Sequence, residues 1–164
     1  MRTLPVRVVV AIAMSLAGGA FCLAIGQTTS PSPAMVHHAT GTFEVKLTPQ
    51  PSDPPVGRMS FDKQFHGGLE GTSRGEMLAT GNGEKGSSGG YVALEQFTGT
   101  LDGRKGTFIL QHSGTLDRGV QHLSVTVVPE SGTGELVGLT GQLSITIADG
   151  KHSYDFEYTL PQNK

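Results

Sequence analysis

The dipeptide Asp-Gly occurs twice between runs of alternating apolar and polar residues, at Asp102-Gly103 and Asp149-Gly150, and these loops constrain the chain more than any other feature. A two-residue Asp-Gly loop supplies positive φ at both central positions of a type I′ turn, whose twist suits two antiparallel strands. At the first loop Leu101 sits opposite Arg104. Counting outward pairs Phe97 with Phe108, Glu95 with Leu110, Ala93 with His112 and Tyr91 with Gly114, all on one face because strand side chains alternate. The other face carries Val92, Leu94, Gln96, Thr98, Thr107, Ile109, Gln111 and Ser113. A one-residue slip would set Phe97 against Thr107 and scatter the aromatics. The register also leaves Glu95 diagonal to His112, roughly 7–8 Å apart at the backbone and within side-chain reach.

The second loop pairs Ile147 with His152, Ile145 with Tyr154 and Leu143 with Phe156, while Thr146, Ser153, Ser144, Asp155, Gln142 and Glu157 share the reverse face. One apolar and one polar face argue for a sheet covering a single interior. Between Thr40 and Leu160 there is no Trp and no sustained helical periodicity. Alternating runs bounded by Gly, Asp or Pro predict eight strands, about 39–48, 57–66, 69–80, 89–101, 104–114, 119–129, 140–148 and 151–160. The expected fold is all-β, a closed eight-stranded antiparallel barrel, because closure removes exposed edges and encloses a small cavity. Pro129 to Gly141 is expected to cap one end as a compact loop or a single helical turn.

The second and third strands meet at His66-Gly67-Gly68. A three-residue loop there pairs Phe65 with Leu69, Phe61 with Ser73 and Met59 with Gly75. Lys63 shares the inward face with Phe61 and Phe65 whichever loop is chosen, and near a rim it is expected to run its stem along the wall and place its ammonium in water.

Residues 1–26 read as a signal peptide: Arg2 and Arg7 give a basic start, Val8 to Leu16 an apolar run, and Ala24-Ile25-Gly26 a small-x-small cleavage site. Gly18-Gly19 makes the stretch a poor membrane anchor. Cys22, preceded by Phe21, is a poor lipoprotein acceptor. Cleavage before Gln27 would leave an exported chain without cysteine, so its stability rests on the core. Losing Arg2 and Arg7 from twelve basic and fourteen acidic residues leaves a net charge of −4 with histidines neutral, which offers no footprint for nucleic acid or an anionic membrane. Residues 27–38, rich in Ser, Thr and Pro and ending in His37-His38, read as a flexible linker ahead of a barrel domain over 39–161.

Ser131-Gly132-Thr133-Gly134-Glu135-Leu136, His152 to Tyr158 and the Tyr91 to Gly114 hairpin together resemble the bacterial family called "domain of unknown function 3224". The resemblance spans about 39–161. It implies an eight-stranded barrel like that of allene oxide cyclase, shared with plant dirigent proteins and some polyketide cyclases, and imports no mechanism.

Glu95 and His112 are the candidates for acid/base work. Enclosure by Phe97, Phe108, Leu110 and Tyr91 should raise the carboxyl pKa by desolvation, while an imidazolium beside it would pull it down. Tyr91, Phe97, Phe108, His152, Tyr154 and Lys63 share the inward face and are the candidate ligand-binding residues. A satisfied Glu-His pair that binds nothing is the competing structural reading. Gly81 to Gly86 matches G-x-G-x-x-G, but Ser87-Ser88-Gly89-Gly90 follows it instead of a helix, so it is read as a hairpin loop. No cofactor or metal is expected, since His122 shares its face with Ser124 and Thr126 and points away from His112 and His152. The leading expectation is a barrel that binds a small apolar molecule, which needs a void of about 300 Å³. A cofactor-free cyclase or isomerase using Glu95 or His112 is the second. The third is a solid barrel that associates with copies of itself through Val92, Leu94 and Ile109.

Overall fold

The computed structural model describes residues 35–161 apart from Gly83 and Lys85. The signal peptide and most of the linker lie outside the described residues. Eight strands follow one another around a closed barrel, β1 (His37–Gln50), β2 (Gly57–Gly67), β3 (Leu69–Thr80), β4 (Gly89–Leu101), β5 (Arg104–Asp117), β6 (Val120–Val127), β7 (Thr140–Ala148) and β8 (Lys151–Thr159). Each pairs antiparallel with its sequence neighbour, and β1 closes the ring on β8. His37 and His38 belong to β1 and not to a linker: the His37 ring stacks on Tyr158 at 5.3 Å, and His38 Nδ1 lies 2.9 Å from the Asp155 carboxylate.

Both Asp-Gly loops turn as their chemistry demands, with φ of 46° and 82° at Asp102 and Gly103 and 51° and 74° at Asp149 and Gly150. The flanking strands keep the predicted registers, including Phe97 opposite Phe108, Ala93 opposite His112 and Ile147 opposite His152. The β2–β3 register is two residues away from the one a three-residue loop implies. Phe65 faces Gly71, Lys63 faces Ser73 and Phe61 faces Gly75. The corner is wider because each flank follows its other neighbour: Gly67 pairs with Gly41 of β1, and Leu69 with Leu101 of β4. Gly75 accepts this register because it has no Cβ; any side chain there would run into the Phe61 ring.

One end of the barrel is closed and solid. Phe65, Leu69, Phe97, Leu101, Phe108, Phe156 and Tyr158 are buried there. Rings stack in sequence, Phe97 on Phe108 at 4.9 Å, Phe108 on Phe156 at 5.7 Å and Phe156 on Tyr158 at 5.5 Å. At about 1.5–3 kcal/mol per buried large apolar side chain, this half holds much of the stabilising area.

The cap follows β6 and contains a short 3₁₀ turn, Gly134–Leu136, that buries Leu136 and Leu139. Its polar residues have a distinct task. Beyond the reach of β6, the edge of β5 would leave backbone groups bare, and buried or edge N–H groups need partners. Ser131 Oγ accepts from Ile109 N (3.0 Å), Thr133 Oγ1 from Thr107 N (3.1 Å) and Glu135 Oε2 from Lys105 N (2.8 Å). Every second residue of the cap thus supplies an oxygen to every second residue of β5. Tyr158 closes the same end by donating to Asp102 Oδ2 at 2.6 Å.

The opposite end is open. β6 and β7 are joined through a single register pair next to the cap, Thr126 with Gln142, and from there toward the open end the two strands share no further register pair. On the outer wall Val92 and Leu94 are 54% and 56% exposed, and Leu78 extends the strip by pairing with Val92.

Candidate functional site

The site is built by the inward side chains of β2 to β5 at mid-barrel depth. Glu95 is fully buried, and both of its oxygens accept from side-chain donors. Oε2 receives Lys63 Nζ at 2.7 Å and His112 Nε2 at 2.8 Å, while Oε1 receives the Ser73 hydroxyl. The register shift at β2–β3 makes this possible, since it brings Ser73 beside Lys63 and leaves side-chain-free Gly75 opposite Glu95.

Lys63 therefore does not run out along the wall to the rim. It is 9% exposed, and its ammonium lies 4.7, 5.3 and 5.6 Å from the ring centres of Phe43, Phe61 and Phe65. Three aromatic faces and one carboxylate surround the ammonium in place of a full hydration shell. For Glu95, burial pushes the pKa up, but the hydrogen bond from His112, the Lys63 charge and its hydrogen bond, and the Ser73 hydroxyl outweigh burial and hold it at about 2. Of the two directions the hairpin left open, the lowered one holds: His112 on the same hairpin lowers it most, and Lys63 and Ser73 from other strands add to the effect. An anion held by three donors is a weak base.

Above this cluster, toward the mouth, is a cavity of about 270 Å³. Phe43, Val45, Leu47, Phe61, Met77, Leu123, Ile145 and Ile147 make its walls apolar, and Lys63, Tyr91, Gln121, His112 and His152 bring polar groups to it. It falls just short of the roughly 300 Å³ at the low end for drug-sized ligands and exceeds the roughly 150 Å³ that accommodates benzene. Leu123 and Gln121 on β6 and Ile145 and Ile147 on β7 place it at the parted seam.

Of the predicted site residues, Glu95, His112, Lys63, Tyr91 and His152 converge around or beneath this cavity. Phe97, Phe108 and Tyr154 do not line it. The two phenylalanines are in the solid half, and the Tyr154 hydroxyl is taken up by the β2–β3 corner, accepting from Leu69 N at 2.7 Å. All three have the inward parity but the wrong depth. Burial, followed by the Glu95 charge, raises the Tyr91 pKa and keeps it a neutral phenol. Tyr91 lies over Gly114, where any side chain would collide with its ring. His122 is exposed, and among the described residues no three His, Cys, Asp or Glu side chains gather to hold a metal. Ser73 is the site residue that sequence reasoning missed; its signal was a small hydroxyl on an inward position between two glycines, Gly71 and Gly75.

A larger concavity, about 620 Å³, lies mainly against the outer wall of β1–β4 and includes Glu44, Lys46, Asp62 and Arg74. Its charges are of both signs and solvated, with Arg74 Nε already 3.3 Å from Asp62. Such exposed pairs carry little binding energy, whereas the mouth cavity has buried polar groups set in apolar walls.

Residues 39–158 match the family described as "Protein of unknown function (DUF3224)". The chain is similar to a crystallised protein of unknown function from that family in Shewanella oneidensis MR-1, with 45% identity and a TM-score of 0.71 over 77% of this chain and 100% of that one. No curated protein matches. These matches carry the family and the barrel, and nothing about kinship with allene oxide cyclases. The chain belongs to the DUF3224 family of proteins of unknown function.

Proposed function

We propose that this protein is an exported barrel that binds a small, largely apolar molecule in its mouth. The observation that carries the reading is the buried imidazole of His112, 4% exposed and tied by Nε2 to Glu95, in the wall of a largely apolar cavity. A ligand would bury its apolar body against Phe43, Phe61, Leu123 and Ile145 and place one polar group toward His112. Export rests on the basic, apolar and small-x-small pattern of residues 1–26.

Native mass spectrometry of the protein recovered from its own host tests this. A retained mass of a few hundred daltons at most is expected, and it should be displaced when Leu123→Trp fills the cavity. A protein that carries no mass, and whose thermal midpoint no small apolar compound raises, would sink the reading.

A second reading, a cofactor-free cyclase or isomerase, draws on the same Glu95–His112 contact. In it His112 moves the proton and Glu95 only orients the ring, so activity should depend on His112 more steeply than on Ser73.

A further inference from the structure

His112 has two nitrogens with unlike surroundings. Nε2 lies 2.8 Å from Glu95 Oε2, a carboxylate that already accepts from Lys63 and Ser73. An ionised carboxylate has no proton to give, so Nε2 must carry the hydrogen. Nδ1 has no hydrogen-bond partner among the described residues. It is nonetheless not an enclosed orphan, because Ser87 Oγ is the buried side-chain atom left without a partner among those residues. His112 borders two spaces, the mouth cavity and a concavity against Met77, Leu78, Val92 and Leu94, and the inferred ligand approaches Nδ1 from the first.

Charge settles what Nδ1 offers. Lys63 and Glu95 cancel, and a proton on His112 would set a second cation on one carboxylate, against Phe61 and Tyr91. Buried uncompensated charge is costly. With Nε2 carrying the hydrogen toward Glu95, a ring that takes no second proton offers a bare lone pair at Nδ1. Resting on the binding function proposed above, we infer that the cavity selects a neutral hydrogen-bond donor, a phenol or hydroxyl on a small hydrocarbon frame, which donates to His112 Nδ1. Carboxylates are disfavoured, since they would bring a second anion to within one imidazole of Glu95. Hydrocarbons without a hydroxyl are disfavoured because they would cover Nδ1 and leave it unpaired.

Three probes of similar frame separate these cases: thymol, p-cymene, which lacks only the hydroxyl, and cumate, which carries a carboxylate. Calorimetric titration of the mature protein should show thymol binding at least about tenfold more tightly than p-cymene, the usual cost of an unpaired buried acceptor. Cumate should bind no better than p-cymene. In His112→Phe the thymol preference should fall to about onefold while p-cymene still binds. Equal affinity of thymol and p-cymene for the native protein, or tightest binding by cumate, would overturn the inference and leave the pocket standing. Failure of all three to bind would instead strike at the pocket itself. Because His112→Phe removes a partner of a buried carboxylate and could fail to fold, a second measurement uses the unaltered chain. Imidazole ¹⁵N shifts of the ligand-free protein at neutral pH should report a pyrrole-type Nε2 and a pyridine-type Nδ1. A protonated Nδ1 would overturn the assignment regardless of any ligand.

Discussion

The Lys63 ammonium and the Glu95 carboxylate meet at 2.7 Å inside the barrel, although β3 runs between the strands that carry them. Ser73 and Gly75 on β3 are small enough to let the two side chains meet across the curved wall, and the pair links the hydrophobic floor to the cavity above it.

Because both partners are buried, breaking the pair should cost more than removing it. Glu95→Gln is expected to destabilise the fold by about 3–5 kcal/mol, and Lys63→Met with Glu95→Gln should recover a substantial part of that loss. Urea unfolding of the two variants decides the point. A double variant no more stable than the single one would show that packing, and not an unpaired charge, sets the cost.

Glu95 also predicts the acid limb of stability. Its folded pKa of about 2 lies below the ordinary 4.5, so its contribution is complete above pH 4.5 and drains away as pH falls toward 2. Thermal midpoints should decline across that window in the native protein, and the decline should be shallower in Glu95→Gln. Parallel slopes would mean that other carboxylates govern acid unfolding.

The β6–β7 seam should be the softest part of the wall. With Thr126–Gln142 its single register pair, amides on the facing edges of β6 and β7 beyond that point lack a ladder and should exchange with deuterium well before those of the β4–β5 hairpin. A bound ligand touching Leu123 and Ile145 should slow them. Uniform protection around the ring would contradict this account of the opening.

Export gives a prediction that needs only a mass. If residues 1–26 are removed, the recovered chain begins at Gln27 and contains no cysteine, so its mass should be unchanged by thiol alkylation. Recovery of a chain that still carries Cys22 would count against cleavage at this site.

Much of the fold was legible because its signals are local. Asp102-Gly103 and Asp149-Gly150 set two registers through their own positive φ angles, and Glu95 and His112 came together on that basis alone. The His66-Gly67-Gly68 corner misled for the opposite reason. Its register is set by what Gly67 and Leu69 pair with on β1 and β4, and no turn residue reports that.

What the chain determined by itself is which way each side chain points, since alternation along a strand is a property of the backbone. Phe97, Phe108, Tyr154, Lys63, Glu95 and His112 all face inward for that reason. What only closure of the barrel decided is how deep each one sits and whom it meets. Strand tilt and stagger bring Lys63 to Glu95 and the cap to Thr107 and Ile109, and these distances depend on eight strands fitting one circumference. The carboxylate that opened the question as a possible proton carrier is, in the closed barrel, an anion held by three donors, with His112 left to face the cavity.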